Sequence, residues 1–458
     1  MISNSLALAE MPNRGYDASH TGVTETESDM RLGGRVAGAI EVLADIETRK
    51  RPVADALKDW GLAHRFAGSG DRAAIGNIVY DALRMRLSHA WLMDDDSPVA
   101  LAYAVLIRQW DFTSEALQAE FTDDRFAPPT LTEANLAALA SRKLEDAPFH
   151  VQADIPDWIQ PSFEANFGED WLSEAKALAD RPTLDLRANT LKAGRDKVVK
   201  ALERSGAKAS RIARNGIRIA AGEGASRLPN VTAELSFQKG WFEVQDEGSQ
   251  IVADLVQPGE HDQVLDYCAG GGGKTLAMSA AMNNKGQVHA YDADRKRLAP
   301  IIERLRRAGT RNVQVHDDPR QLNQLKNKLD AVLVDAPCTG TGTWRRRPDT
   351  KWRLTQKNLD ERISQQQEAL SEASAFVKPG GALLYVTCSI LPEENDAQVQ
   401  RFCADNPEFS IAPAAAHWEK IFGKDAPAPR SKDALTVTLT PASTDTDGFF
   451  FCRMQRKV

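Results

Sequence analysis

From His261 onward, apolar runs of strand length alternate with helical stretches, and this alternation constrains the fold more than any other feature of the chain. DQVLDYC, QVHAYD, NVQVH, DAVLVDA and ALLYVTC carry few polar interruptions, whereas RLAPIIERLRRAG and ISQQQEALSEASAFV repeat apolar residues every three or four positions. Strands that lack polar alternation are covered on both faces, so the reading is an α/β fold with a mostly parallel, Rossmann-like sheet. Such sheets bind ligands at the carboxyl ends of their strands.

A chain of 458 residues exceeds what one hydrophobic core usually supports, so further domains are expected. Residues 1–30 read as a flexible tail, rich in Ser, Thr, Asp and Gly and without the basic start of a secretion signal. Residues 31–145 read as an all-α N-terminal domain, with helical periodicity in VAGAIEVLADI and IGNIVYDALRMRL and with Asp71 as a helix cap. Residues 146–245 form a small helical and α/β connector containing the strand-like runs LDLRANT, GIRIA and WFEVQ, and 246–458 form the Rossmann-like domain. Within the last, 412–447 reads as an irregular insertion before a final strand, GFFFCRM.

Strand VLDYC runs directly into Ala269, Gly270, Gly271, Gly272, Gly273, Lys274 and Thr275 and then into helical LAMSAAM. Glycines let backbone approach a ligand, and free amides at the helix start favour an anionic group. Asp292 ends the next strand, at the spacing from Gly273 at which a carboxylate meets ribose hydroxyls. The pair points to an adenosine-containing cofactor. A nucleotide P-loop competes, because Gly273, Lys274 and Thr275 end a GxxxxGK[ST] pattern, but Cys268 stands where its first glycine belongs.

The five cysteines, Cys268, Cys338, Cys388, Cys403 and Cys452, show no metal-ligand spacing, so no metal is expected and reduced thiols in a cytoplasm fit best. With 42% hydrophobic and 26% charged residues and no apolar run of membrane-spanning length, the chain reads as a cytoplasmic protein with no membrane partner. A net charge of −7 gives no global attraction to nucleic acid, so any such binding must be local. Cys403 and Cys452 read as buried apolar side chains. Cys338, after DAVLVDAP, and Cys388, after ALLYVT, stand at strand ends on the ligand side, where a thiolate can serve covalent catalysis. Position alone does not choose between them.

Four motifs stand in order: CAGGGGKT (268–275), DAPCTGTG (335–342), PDTKW (348–352) and TCSILPEEN (387–395), followed by the closing DGFFFCRM. From Leu184 to the C-terminus the chain resembles the RsmB-like (Sun/Nop) family of RNA cytosine-5 methyltransferases. Gly270 and Gly271 stand where that family has Ala and Pro. The resemblance implies a class I methyltransferase sheet and S-adenosyl-L-methionine held by Cys268 to Lys274, Asp292, Arg297, Asp335 and either Asp317 or Asp318. It also implies Cys388 as nucleophile and Cys338 as the thiol that assists product release. Carbon 5 of cytosine is a poor nucleophile; a thiolate added at carbon 6 turns the ring into an enamine that can take a methyl. Asp335 would then assist at ring nitrogen 3. A DNA-type reading, in which Pro337-Cys338 supplies the nucleophile, needs Cys388 idle.

Arg345, Arg346, Arg347, Lys351 and Arg353, interleaved with Trp344 and Trp352, follow DAPCTGTG directly, a composition suited to phosphates and unpaired bases. Arg187 and Asn189 are further RNA candidates, and the arginine-rich stretch from Arg295 to Arg311 reads as a solvated helix face apart from Arg297. SGDRAAIGNIVYDALR resembles the NusB-like domain that precedes the catalytic part in bacterial ribosomal RNA members of the family. That resemblance implies small-subunit ribosomal RNA as substrate; separately, the enzyme is expected to be a monomer. Transfer RNA, or a non-catalytic RNA-binding factor, are the alternatives.

Overall fold

The computed structural model describes residues 30–458 apart from Ala415, His417 and Lys432, so the tail expected over 1–30 lies, up to residue 29, outside the described residues. Helices Leu32–Arg49, Val53–Ala63, Ser69–Arg84, Arg86–Met93 and Pro98–Gln109 build the N-terminal part. Their apolar faces meet in a core of Val36, Val42, Ile75, Ile78, Val79, Leu101 and Leu106. Asp71 caps Ser69–Arg84 from inside its first turn and not from the preceding position: its carboxylate accepts the Gly68 N–H at 2.8 Å and Arg35 Nε at 2.9 Å.

The connector carries an antiparallel sheet ordered β2-β3-β1-β4, from β1 (Leu184–Ala188), β2 (Lys208–Ala209), β3 (Gly216–Ile219) and β4 (Phe242–Val244). Helix Arg195–Ala201 covers it, burying Leu186, Val198, Ile217 and Phe242 together.

The main sheet comprises β5 (Gln263–Asp266), β6 (Gln287–Tyr291), β7 (Val313–His316), β8 (Leu329–Asp335), β9 (Val377–Thr387), β10 (Phe409–Ala412), β11 (Val437–Leu439) and β12 (Phe449–Arg456). Its order is β7-β6-β5-β8-β9-β12-β10, with β11 paired to β12. Strands β5 to β9 pair in parallel, and β12 runs antiparallel to β9 with Phe450 opposite Thr387. The chain steps outward from β5 through β6 and β7, then returns to place β8 on the other side. This reversal opens a crevice at the carboxyl ends of β5 and β8. The 412–447 stretch is more ordered than its composition implies: it includes helix Trp418–Phe422, helix Pro441–Thr444 and β11, whose Val437 and Leu439 are buried in the sheet core.

The Trp344–Arg353 segment is the largest departure from expectation. Trp344 is fully buried and stacks on Phe163 at 6.0 Å. Lys351, 1% exposed, donates Nζ to the Arg84 carbonyl at 2.9 Å, and Trp352 Nε1 donates to the Leu83 carbonyl at 2.7 Å. Arg84 Nε returns a bond to the Arg345 carbonyl at 2.7 Å. The last carbonyls of helix Ser69–Arg84 lack partners within their own helix, and this segment supplies them. Arg345 is 2% exposed and donates to Asp447 at 2.5 Å; Arg346 bonds Asp447 at 2.6 Å and Asp246 at 2.9 Å. Arg345 and Lys351, expected to hold RNA, are therefore interior groups that fasten the helical part to the sheet. Arg347 remains exposed.

Candidate active site

The CAGGGGKT turn leaves β5 and enters helix Gly273–Ala281 through Gly270 and Gly272, both at positive φ (+49° and +81°). A Cβ on Gly272 would lie 2.5 Å from Ile301 Cγ1, so conformation and space both require glycine there. The loop is fixed by bonds to its backbone. Asp292 at the end of β6 accepts the Gly270 N–H at 2.8 Å, and Arg304 Nη1 donates to the Gly271 carbonyl at 2.6 Å. These contacts hold the loop without the Ala and Pro usual at 270 and 271.

Arg187 and Asn189 belong to this scaffold and not to an RNA surface. Arg187 Nε donates to Gln245 at 2.7 Å, and Asn189 Nδ2 donates to the Gly240 and Ala308 carbonyls at 2.8 Å each. Both are buried, and burial draws the Arg187 guanidinium down to about 10. The arginine-rich helix is likewise engaged: Arg304 and Arg307 clasp the buried Glu243 of β4 at 3.1 and 2.7 Å. A charge pattern read along one helix cannot see an acid supplied by another domain.

The acids of the crevice divide by what they already hold. Asp292 keeps Arg297 Nη1 at 3.8 Å. Asp318 caps the next turn and pairs with Arg320, whose bond holds its carboxyl down at about 2. Asp317 is exposed and accepts only a 3.2 Å bond from Gln321 Nε2, so of the two neighbours it is free to meet a ligand. Amides of a turn that a side chain would fill, a carboxylate at the end of β6 and a second beyond β7 are the donor set that an adenosyl cofactor needs.

At the carboxyl ends of β8 and β9 the structure brings together every catalytic candidate. Asp335 binds Lys274 Nζ at 2.7 Å, and Cys338 Sγ stands 3.3 Å from Cys388 Sγ. Burial works against the Lys274 ammonium, but Asp335 outweighs it and raises the lysine above its ordinary range; Cys388 is among the groups that add to the effect. The bond to Cys388, then burial, push the Cys338 thiol well up. Burial and the carboxylates of Asp335, Asp292 and Asp266 do the same to Cys268, which therefore stays a thiol.

The residues that shape these turns were not legible as such. Asn395 accepts the Thr387 hydroxyl at 2.6 Å and donates to the Ser389 carbonyl at 3.0 Å, folding the chain after Cys388. Glu394 accepts the Thr339 N–H at 2.8 Å and Gln366 Nε2 at 2.9 Å. The available signal was the polar PEEN tail of TCSILPEEN, which by composition alone is an exposed turn.

A family model described as 16S rRNA methyltransferase RsmB/F matches residues 253–455, and one described as the RsmF/B-like ferredoxin-like domain matches residues 155–223. The chain is 31% identical over 315 residues to the probable ribosomal RNA small subunit methyltransferase B of Synechocystis sp., covering 67% of each chain. The chain belongs to the RsmB/F methyltransferase family. Members of the RsmB/F family use S-adenosylmethionine, which the donor set above fits. A methyltransferase homologue from Pyrococcus horikoshii superposes with a TM-score of 0.56 at 26% identity, over 67% of this chain and 97% of that one. The crystal structure of PH0851, at 24% identity, shares the fold over 93% of this chain and all of its own, with a TM-score of 0.71.

Proposed function

We propose that this RsmB/F-family protein methylates carbon 5 of a cytosine in small-subunit ribosomal RNA, with Cys388 as the nucleophile. The observation that carries the reading is the pair of sulfurs 3.3 Å apart, at the carboxyl ends of adjacent strands and on the same side as Lys274 and Asp335. S-adenosylmethionine would be held by the 268–274 turn, Asp292, Arg297 and Asp317 and would supply an electrophilic methyl. Cys388 as thiolate bonds to carbon 6 of the base, and Asp335 holds the ring at nitrogen 3. After methyl transfer, Cys338 assists loss of the carbon 5 proton, and the electron pair of that C–H bond expels Cys388. The base must be out of its stack for a thiolate to reach carbon 6, so an unpaired stretch of RNA is the substrate feature. The helical part is read as an RNA-binding, NusB-like domain held in fixed register by the Trp344–Arg353 segment.

The test compares Cys388→Ala and Cys338→Ala on small-subunit ribosomal RNA with labelled cofactor. Loss of Cys388 is expected to abolish methylation. Loss of Cys338 is expected to trap RNA on the protein as a band that survives a denaturing gel. The reverse pattern would sink the assignment.

A further inference from the structure

Ala73, Asn77, Tyr80 and Arg84 recur at three and four spacing along helix Ser69–Arg84 and so share one face of it. That face is one wall of a cleft of about 400 Å³ where the helical part, the connector and the part carrying the main sheet meet. Arg181 and the 221–228 loop with Arg227 form the connector's wall, and Arg346 contributes from the main-sheet side. Four guanidinium groups line this cleft, and no acid does.

The four differ in what they already hold. Arg346 is spent on Asp447, Asp246, Asp185 and the Thr183 carbonyl. Arg181 grips Asp81 and donates to the Gly222 and Gly224 carbonyls at 2.7 and 2.9 Å, which fixes the loop. Asn77 Nδ2 fixes it again, donating to the Gly224 and Ser226 carbonyls at 3.0 and 2.9 Å. Arg84 Nη1 binds the same Asp81 at 2.7 Å, so two guanidiniums rest on one buried carboxylate. Burial draws Arg84 below its ordinary range; Asp81 opposes this, and Arg181 adds to it. Arg84 Nη2 makes no hydrogen bond among the described residues, and neither does the Tyr80 hydroxyl. Arg227 is exposed and donates only to the Ser69 hydroxyl, at 3.0 Å. Asp180 and Glu223, the nearest further acids in the chain, are exposed, make no ion pair among the described residues and do not line the cleft.

Positive charge in excess of its acids, with donors left over, is a setting that an anion completes, and guanidinium geometry suits a phosphate. The cleft is also near the reacting groups. The Gly342 N–H donates to the Cys388 carbonyl at 3.0 Å, and the chain from Gly342 to Arg346 spans at most about 14 Å. Exposed Arg347 is within electrostatic reach of Tyr80. An RNA strand whose base enters the crevice therefore carries its own phosphates past this wall.

We propose that the cleft binds a backbone phosphate of the substrate RNA, with Arg84 Nη2, Arg227 and the Tyr80 hydroxyl as donors. Arg181 and Asn77 hold the loop that carries Arg227 and do not touch the ligand. A phosphate contact of this kind sets the strand's register and reads no sequence. This rests on the reading of RNA as the substrate.

The test is filter binding of the full-length protein to a fragment of small-subunit ribosomal RNA at several salt concentrations. Tyr80→Phe keeps ring and charge; it should weaken binding about tenfold, the effect of one hydrogen bond to a charged group, and leave the salt dependence unchanged. Arg227→Ala should weaken binding by about the same factor and lower the slope of log K against log salt by about 0.7. Arg227→Lys should restore the slope and only part of the affinity, because an ammonium lacks the planar fork. S-adenosylmethionine affinity and Tm should stay at wild-type values in all three, and the loss should be equal on RNAs of unrelated sequence. Wild-type RNA affinity in either Tyr80→Phe or Arg227→Ala overturns the proposal. A loss confined to one RNA sequence also overturns it, since that marks a base contact. Failure of the substrate reading is distinct: there the wild type itself binds no RNA at any salt concentration, and both readings fall together.

Discussion

Asp335–Gly342 and Trp344–Arg353 are neighbours in the chain and were read by similar reasoning, yet the structure uses them in opposite ways. In the first, polar residues at a strand end converge on the crevice: Asp335 on Lys274, Cys338 on Cys388. In the second, a denser set of cations and indoles turns inward, stacking Trp344 on Phe163 and giving Lys351 and Trp352 to the carbonyls that end helix Ser69–Arg84. The difference lies in what fixes a side chain's direction. A residue ending a buried parallel strand must emerge at the ligand edge, whereas a residue in a loop goes wherever an unpaired partner awaits it. Composition does not reveal the partner.

The contrast is broken most forcefully at Trp344. If the segment is interior, Trp344→Ala leaves a cavity against Phe163, Leu359, Ile390 and Leu391 and should cost about 3–5 kcal/mol of stability, seen as a large drop in Tm. Trp344→Phe should cost much less, because the indole N–H has no hydrogen-bond partner among the described residues and the stacked ring is kept. An RNA-stacking tryptophan would give the opposite result, with Tm unchanged and RNA affinity reduced. On the other side of the comparison, Asp335→Asn should lower methylation by about 10²–10⁴-fold, the range typical for an acid–base group. Circular dichroism of that variant should stay native. A coincident collapse of fold would place Asp335 with the structural cations.

Lys351 sharpens the contrast through pH. Burial lowers its ammonium to about 8, against Asp154, which supports the charge. An unfolded lysine keeps its proton to about 10.4, so between these values the unfolded chain binds more protons and stability rises with pH. Below about 8 the full penalty for the buried charge remains. The gain across this window should be on the order of 2–3 kcal/mol for this group. Urea melts of the wild type and Lys351→Met from pH 7 to 10 isolate it: the wild type should gain relative to the variant as pH rises. Parallel curves would mean that Lys351 is solvated after all.

What could be read beforehand follows the same physical line. The parallel order β5 to β9 was legible because VLD, HAY and AVLV have no choice but double burial, and the glycine loop because a sharp strand-to-helix turn leaves a covalent signature in glycines. The sulfur pair was legible in part: spacing placed both thiols at strand ends, and only the fold shows them in contact. Arg187, Asn189, Arg304 and Arg307 were opaque, since each answers to a group far from it in the chain. Glu394 was opaque because an acid in a Pro-Glu-Glu-Asn turn is ordinarily solvated, and its burial depends on Gln366 arriving from helix Gln356–Ser374.

Arg347 is the smallest and most diagnostic case. Arg353, also exposed, pairs with Asp349 at 2.6 Å, whereas Arg347 is exposed with no ion pair among the described residues. Its guanidinium is free to meet a phosphate without disturbing the staple. Arg347→Ala should leave Tm within the small change usual for surface substitutions, about ±0.5 kcal/mol. If it contacts one phosphate, RNA affinity should fall several-fold, and the slope of log K against log salt should drop by about 0.7 for a single-stranded site. Filter binding at several salt concentrations reads both quantities. An unaltered slope would remove from the RNA surface the cation of Trp344–Arg353 that is exposed and without an ion pair among the described residues, whereas a reduced slope would leave one residue on the side of the comparison where composition was a sound guide.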